Sequence, residues 1–224
     1  MTSISKTTLG FLQDLKKNNN RDWFNEHKQV FKTEQEKAKD FYNAVMNNLK
    51  VHDDIEKLKM FRIYRDVRFS QDKTPYKPHF AGHFVRATNR LRGGYYLRIR
   101  PGESFLAGGF WEPNKEDLLR IRKEFEMDTS EIRTIISDKT FIDHFDKLQG
   151  NSLKTAPRGF DKEHPDVDLI RMKQFIVTRN FSDAAVLSPS FIKEVDASFK
   201  AMRAFFDYMS DVLTTDLNGV SLIK

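Results

Sequence analysis

The sequence predicts an α+β fold: a central, mostly antiparallel sheet of about four to six strands, flanked by N-terminal and C-terminal helices. Three observations predict it. Apolar residues recur at helical steps near both ends of the chain. The middle changes to a period of two. The period-two segments also follow one another directly, without the intervening helices that a βαβ chain would need.

The elements follow in order. Phe11, Leu12 and Leu15 mark a short amphipathic helix that stops at Asn18-Asn19-Asn20. Asn20 suits the cap of a second helix, with Asp22 in its first turn. Phe24, Phe31, Ala38, Phe41, Val45 and Leu49 continue one helical face to about Lys50, as one helix or a broken pair. From Phe61 to Phe69 the odd positions are mostly apolar, which predicts a strand. Phe80 to Arg86 is a weaker strand. Tyr95, Leu97 and Ile99 alternate with Tyr96, Arg98 and Arg100, and Ser104 to Gly109 alternates likewise. Pro101-Gly102 between them predicts a hairpin turn. Pro113 suits the first position of a helix with Leu118, Ile121, Arg122 and Phe125 on its face. Ile132–Ile136 and the pair Phe141 and Phe145 suggest two more short helices. Pro165 opens another, with Asp166 and Asp168 facing its dipole and Leu169 and Met172 turned inward. Phe175–Arg179 is a late strand. After Ser188-Pro189 a helical stripe runs from Ile192 to Leu213, with Phe205 off the stripe. Trp23 and Trp111 are expected in the core, given the area they bury.

The composition narrows the function classes. The chain has 224 residues, 38 Lys+Arg, 32 Asp+Glu and no cysteine. Disulfide scaffolds, cysteine–zinc sites, iron–sulfur clusters and thiol nucleophiles are therefore excluded. No run approaches a membrane span, and Met1 to Lys6 leads into no apolar signal segment. These features predict a soluble, cytoplasmic protein with no membrane partner. No linker or repeat divides the chain, so residues 1–224 are expected to form a single domain.

The net charge of +6 is unevenly spread. Between Leu58 and Arg100 stand 11 basic residues and 2 aspartates, a balance of +9 within 43 residues. The rest of the chain carries 27 basic and 30 acidic residues, or −3. Eight aromatic residues share the cationic window. Such clustering points to an anionic partner. On an extended segment, Arg65 would fall on the apolar side with Ile63 and Val67, where a charge must be paired or open into a cleft. Guanidinium groups grip phosphate or carboxylate bidentately, and lysine adds a point charge. The alternative is an internal network with Asp66, Asp72 and the acidic residues from Glu112 to Asp128.

The run RDVRFSQDKTPYK from Arg65 to Lys77, preceded by NNRDWF from Asn19 to Phe24, resembles the family called domain of unknown function 2461. Similar to the same family are PRGFDKEHP from Pro157 to Pro165, the segment from Leu169 to Lys173, and LAGGF from Leu106 to Phe110. The similarity extends from about Leu9 to the last helix; Pro78 departs from the pattern. The resemblance implies one α+β domain. It implies no reaction, cofactor or catalytic residue.

The ligand-binding candidates are accordingly Arg62, Arg65, Arg68, Lys73, Tyr76 and Lys77, facing a small phosphorylated or carboxylated molecule. Whether such a site is enzymatic is open. His164 and Asp66 are the catalytic candidates, His164 for its working pKa range. Ser70-x-x-Lys73 lacks the further elements of serine–lysine enzymes. His79 and His83, or His164 with Asp166 and Asp168, do not have diagnostic metal spacing, so no metal site is expected. No cofactor is indicated. The alternatives are nucleic-acid binding along Arg62, Arg86, Arg90, Arg92, Arg98 and Arg100, or a protein-interaction module using Phe205. The sequence leaves the oligomeric state open.

Overall fold

The computed structural model describes residues 3–223. Near the N-terminus, α1 (Lys6–Lys17) is capped by Ser5, whose hydroxyl accepts the Thr8 N–H. Asn20 caps α2 (Arg21–Glu26) through the Trp23 N–H, as its sequence position predicts. The chain then breaks at His27 before α3 (Lys28–Leu49). Strands β1 (Ile55–Met60), β2 (Phe80–Arg86), β3 (Gly94–Ile99) and β4 (Ser104–Phe110) follow. Next come α4 (Lys115–Met127), α5 (Ser130–Ser137), α6 (Lys139–Phe145) and α7 (Val167–Ile170). The chain closes with β5 (Phe175–Phe181), α8 (Asp183–Leu187), α9 (Phe191–Ala201) and α10 (Arg203–Thr214). The strands form one antiparallel sheet in the order β1-β2-β3-β4-β5. This is an α+β fold.

Contacts gather the chain into two compact units. The first holds the described residues up to Val85, together with Tyr96–Leu106 and Asn180–Ala197. The second holds Arg86–Tyr95, Ala107–Arg179 and the chain from Ser198 onward.

In the first unit, alternation sorts the sheet residues onto two faces. Phe80, Gly82 and Phe84, with Leu97, Ile99, Ser104 and Leu106, point into the core. Tyr42 of α3 is fully buried there, and its hydroxyl donates toward the carbonyls of Phe80 and Leu97, 3.1 Å from each. Gly82 permits this approach, since a β-carbon in its place would lie 2.6 Å from the Tyr42 ring. The other face carries His79, His83, Tyr96, Arg98, Arg100 and Phe105, all of intermediate exposure.

In the second unit Tyr95 packs between Phe199 and Phe206, each 4.9 Å away. Gly109 has φ +126°, and a β-carbon there would sit 2.1 Å from the Phe175 carbonyl, so that position requires glycine.

Several expectations are overturned. Residues 61–69 are not a strand; the pairing strand is β1, just upstream. Inside this run the backbone pairs only at Phe61 with Ala81 and at the isolated bridge Tyr64↔Tyr76. Alternating burial survives in part, with Ile63 buried and Arg65 half-buried between exposed Arg62, Tyr64 and Asp66. Pro113 precedes the α4 cap, Asn114, rather than opening the helix. Trp111 is 65 % exposed and Trp23 is half-buried, so neither is a core residue. Helix α8 lies in a segment for which no helix was anticipated. The last helical stripe is interrupted at Met202, and Phe205, three residues after Met202 and four before Met209, is fully buried against Phe110 and Phe206. Phe205 is therefore no exposed interaction surface. Asp166 and Asp168 do not serve chiefly as dipole partners of α7. Both are ion-paired to Arg133, at 2.9 and 2.5 Å.

Candidate functional site

The segment between β1 and β2 is a long loop with a closed neck. The Arg65 N–H donates to the Pro75 carbonyl and the Lys77 N–H to the Ile63 carbonyl, at 2.9 and 2.7 Å. Arg65 reinforces the neck from within. Its guanidinium donates to the Asp72 carboxylate, to the Thr74 hydroxyl and to Ser70 Oγ. Lys73 Nζ donates to the Val67 carbonyl at 3.0 Å. At the tip, Arg68 pairs with Asp66 at 2.6 Å, and Phe69 is 96 % exposed.

The loop is pinned to the α1–α2 corner. Asn19 donates to the Tyr76 carbonyl at 2.9 Å and accepts the Tyr76 N–H at 3.1 Å. The Tyr76 ring stacks on Phe24, with centroids 4.0 Å apart. Amide pairing and ring stacking together fix the loop base against the helices.

Beside this base lies a cleft of about 360 Å³. Lys16, Asn19, Arg65, Asp72 and Thr74 line one part of it. Tyr76, Lys77, Pro78, His79 and Arg100 line the rest. Three of the six predicted ligand residues, Arg65, Tyr76 and Lys77, therefore meet here. Arg62, Arg68 and Lys73 do not line it. Tyr76 contributes mainly as a wall, being only 4 % exposed. Among the lining residues not anticipated as ligand residues are Lys16, His79 and Arg100. Alternation along β3 already put Arg100 on the face opposite the core; nothing in the sequence linked Lys16 to it.

The electrostatics are cationic. Lys16, Arg65, Lys77, Arg100 and the neighbouring Arg98 are opposed by two carboxylates, Asp72 and Glu103. Glu103 is shared: Arg100 lies 3.2 Å away, Lys16 3.7 Å and Arg98 3.9 Å. Lys77 makes no ion pair among the described residues; its ammonium sits 5.9 Å from the Phe61 ring centroid. Asp72 is held down at about 2, by the Thr74 N–H first, then by Arg65 and the Thr74 hydroxyl. His79 is pushed down to about 4, by burial first and then by Arg98, Arg100 and Lys77, with Glu103 opposing. At neutral pH its imidazole is uncharged. Its Nδ1 is buried without a hydrogen-bond partner among the described residues.

The family's sequence profile, described as a conserved hypothetical protein, matches residues 7–208. The chain belongs to the domain of unknown function 2461 family. No curated protein and no solved structure matches it. In this domain of unknown function 2461 chain, the two runs that carried the resemblance, NNRDWF and RDVRFSQDKTPYK, meet at the Asn19–Tyr76 and Phe24–Tyr76 contacts.

The catalytic candidates lie elsewhere. Asp66 is exposed at the loop tip and is held low by its hydrogen bonds with Arg68. His164 belongs to the second unit. The Asp166 N–H donates to its Nδ1 at 3.1 Å, which leaves Nε2–H to donate to the Glu126 carbonyl at 3.2 Å. Both ring nitrogens are thus engaged with the backbone. The six arginines of the nucleic-acid alternative do not form an exposed stripe. Arg86 is buried and pairs with Asp207, Arg92 pairs with Asp117, and Arg98 and Arg100 share Glu103. Only Arg62 and Arg90 are exposed. Among the described residues no group of three metal-ligating side chains occurs, and no helix is long and apolar enough to cross a membrane.

Proposed function

We propose that the cleft beside the loop base binds a small phosphorylated or carboxylated molecule. The observation that carries this is the convergence of Lys16, Arg65, Lys77 and Arg100 on one concave surface where carboxylates are outnumbered. Lys77 in particular is a cation with a cleft to face and no carboxylate of its own. The cleft falls within the usual size range of small-molecule sites. Arg65 presents a fork already oriented by Asp72 and Thr74, so little side-chain entropy is lost on binding.

Isothermal titration with inorganic phosphate, acetate and citrate tests the reading. Saturable one-site binding is expected, with Lys77→Ala weakening it about tenfold while the thermal transition stays in place. Absence of saturable binding by any of these anions, or unchanged affinity in Lys77→Ala, overturns it.

A further inference from the structure

The chemistry of the cleft narrows the ligand class further, and this step rests on the reading above. Five cations, Lys16, Arg65, Lys77, Arg98 and Arg100, surround the cleft, against two carboxylates, Asp72 and Glu103. The balance is +3. A monoanion leaves most of that field uncompensated, whereas a dianion cancels two thirds of it. The same sheet face is short of acceptors: the Nε atoms of Arg98 and Arg100 are buried without hydrogen-bond partners among the described residues. A tetrahedral oxyanion offers more acceptor oxygens than a planar carboxylate.

His79 sits in the middle of this set. It lines the cleft, follows Lys77 by two residues, and shares the sheet face of Arg98 and Arg100. Its Nδ1 is buried, so any contact with a cleft ligand runs through Nε2. The charged groups acting on the ring are Arg98 and Arg100 of β3, Lys77 of the preceding loop and Glu103 of the β3–β4 turn. Burial is the first reason the ring is neutral, but three of these four groups are cations, and a dianion placed among them offsets their repulsion and adds an attraction of its own.

We propose that the cleft selects a dianionic oxyanion head group, of the phosphomonoester class, and that His79 reads it by taking up a solvent proton at Nε2 as the dianion binds and donating that Nε2–H to it. A carboxylate would engage the same cations without drawing that proton.

Sulfate is the clean probe, because it stays dianionic throughout the relevant pH range. Titration calorimetry of the full chain at constant ionic strength should show sulfate and inorganic phosphate binding at least about tenfold more tightly than acetate near pH 7.5. Sulfate affinity should rise about threefold or more on going to about pH 5.5, with proton uptake visible as a dependence on buffer ionisation heat. His79→Gln keeps a donor but cannot ionise; it should bind sulfate with no such rise. If His79→Gln does not fold, the His79 ring proton of the unmodified chain, followed by NMR, gives the same answer: its titration should move from about 4 to roughly 6 when sulfate is added. Acetate binding as tightly as sulfate, or a His79→Gln pH slope equal to the unmodified chain's, overturns the dianion inference and leaves the anion cleft standing. Absence of binding by every anion overturns both.

Discussion

Arg86 and Arg65 come from the same cationic window of the sequence and end in opposite circumstances. The Arg86 side chain has no solvent exposure. It donates to Asp207 at 2.8 Å, to the Arg92 carbonyl at 2.9 Å and to Ser210 Oγ at 3.3 Å, and lies over the Phe206 ring. Two of its partners are fixed on α10. Arg65 is 23 % exposed, and its side-chain bonds go to Ser70, Asp72 and Thr74 of its own loop, with Asp72 itself 58 % exposed. The first guanidinium is consumed by the fold. The second is held in place by the loop but still borders open space. A count of charges along the sequence gives both the same weight; what separates them is that Arg86 is itself enclosed and bonded to a helix, whereas Arg65 is part-exposed and bonded to its own loop.

The largest expected effect falls on the buried member. Arg86→Ala removes a fully enclosed side chain and takes a donor from the Arg92 carbonyl and from Ser210, while Asp207 keeps Arg203, so a loss of about 3 kcal/mol in denaturant unfolding is expected, chiefly from the lost packing and the unpaired buried groups. Arg86→Lys should recover only part of it, because an ammonium cannot make the forked contacts. A loss under about 1 kcal/mol for Arg86→Ala would erase the distinction.

Arg65→Ala should cost less than about 1 kcal/mol, as expected for a pair whose carboxylate faces water. Its signature is local. Amide exchange in residues 66–74 should speed up, and phosphate affinity should fall about tenfold with the melting transition retained. Global unfolding of Arg65→Ala would instead make both arginines structural and would count against the cleft.

The smallest effect is on pH. The Asp72 carboxyl is depressed in the folded chain to about 2, from an unfolded value near 4. Its contribution to the loop is therefore complete above about pH 4 and is lost as pH falls through about 2. Acid titration followed by NMR should show the Thr74 amide shifting in that window, since it donates to Asp72. A Thr74 shift centred near pH 4 would mean that Arg65 and Thr74 do not hold the carboxylate.

Much of the fold is legible in the residues themselves. Asn20 caps α2 because a short acceptor side chain precedes a helical run, and Pro101-Gly102 turns the β3–β4 hairpin with Gly102 at φ +74°. The failures share a cause. Residues 61–69 alternate like a strand because one side of the loop packs inward, yet their backbone pairs only at Phe61 with Ala81 and at the isolated Tyr64↔Tyr76 bridge, too sparsely for a strand. Phe205 stands beside the Phe206 stripe in sequence, but it lies three residues from Met202 and four from Met209, and the buried face of α10 is wide enough to take both phenylalanines. Of the cleft, Arg65, Tyr76 and Lys77 were readable from local density of charge and aromatic residues. Lys16 arrives from α1, and His79 takes its character from cations on another strand, so neither could be assigned before tertiary contacts were known.

The clamped neck of the β1–β2 loop has a consequence for what the chain can tolerate. Because Arg65, Pro75 and Lys77 close the loop at its base, the exposed tip at Arg68 and Phe69 lines no part of the cleft, while Ser70 beside it still holds Arg65. Lengthening such a tip costs only about 0.6 kcal/mol per doubling of the loop. The bond between Arg68 and Phe69 is thus a natural graft point, where a fluorophore, an affinity handle or an inserted peptide can be carried a few residues from the cleft with Ser70 and Val67 left in place.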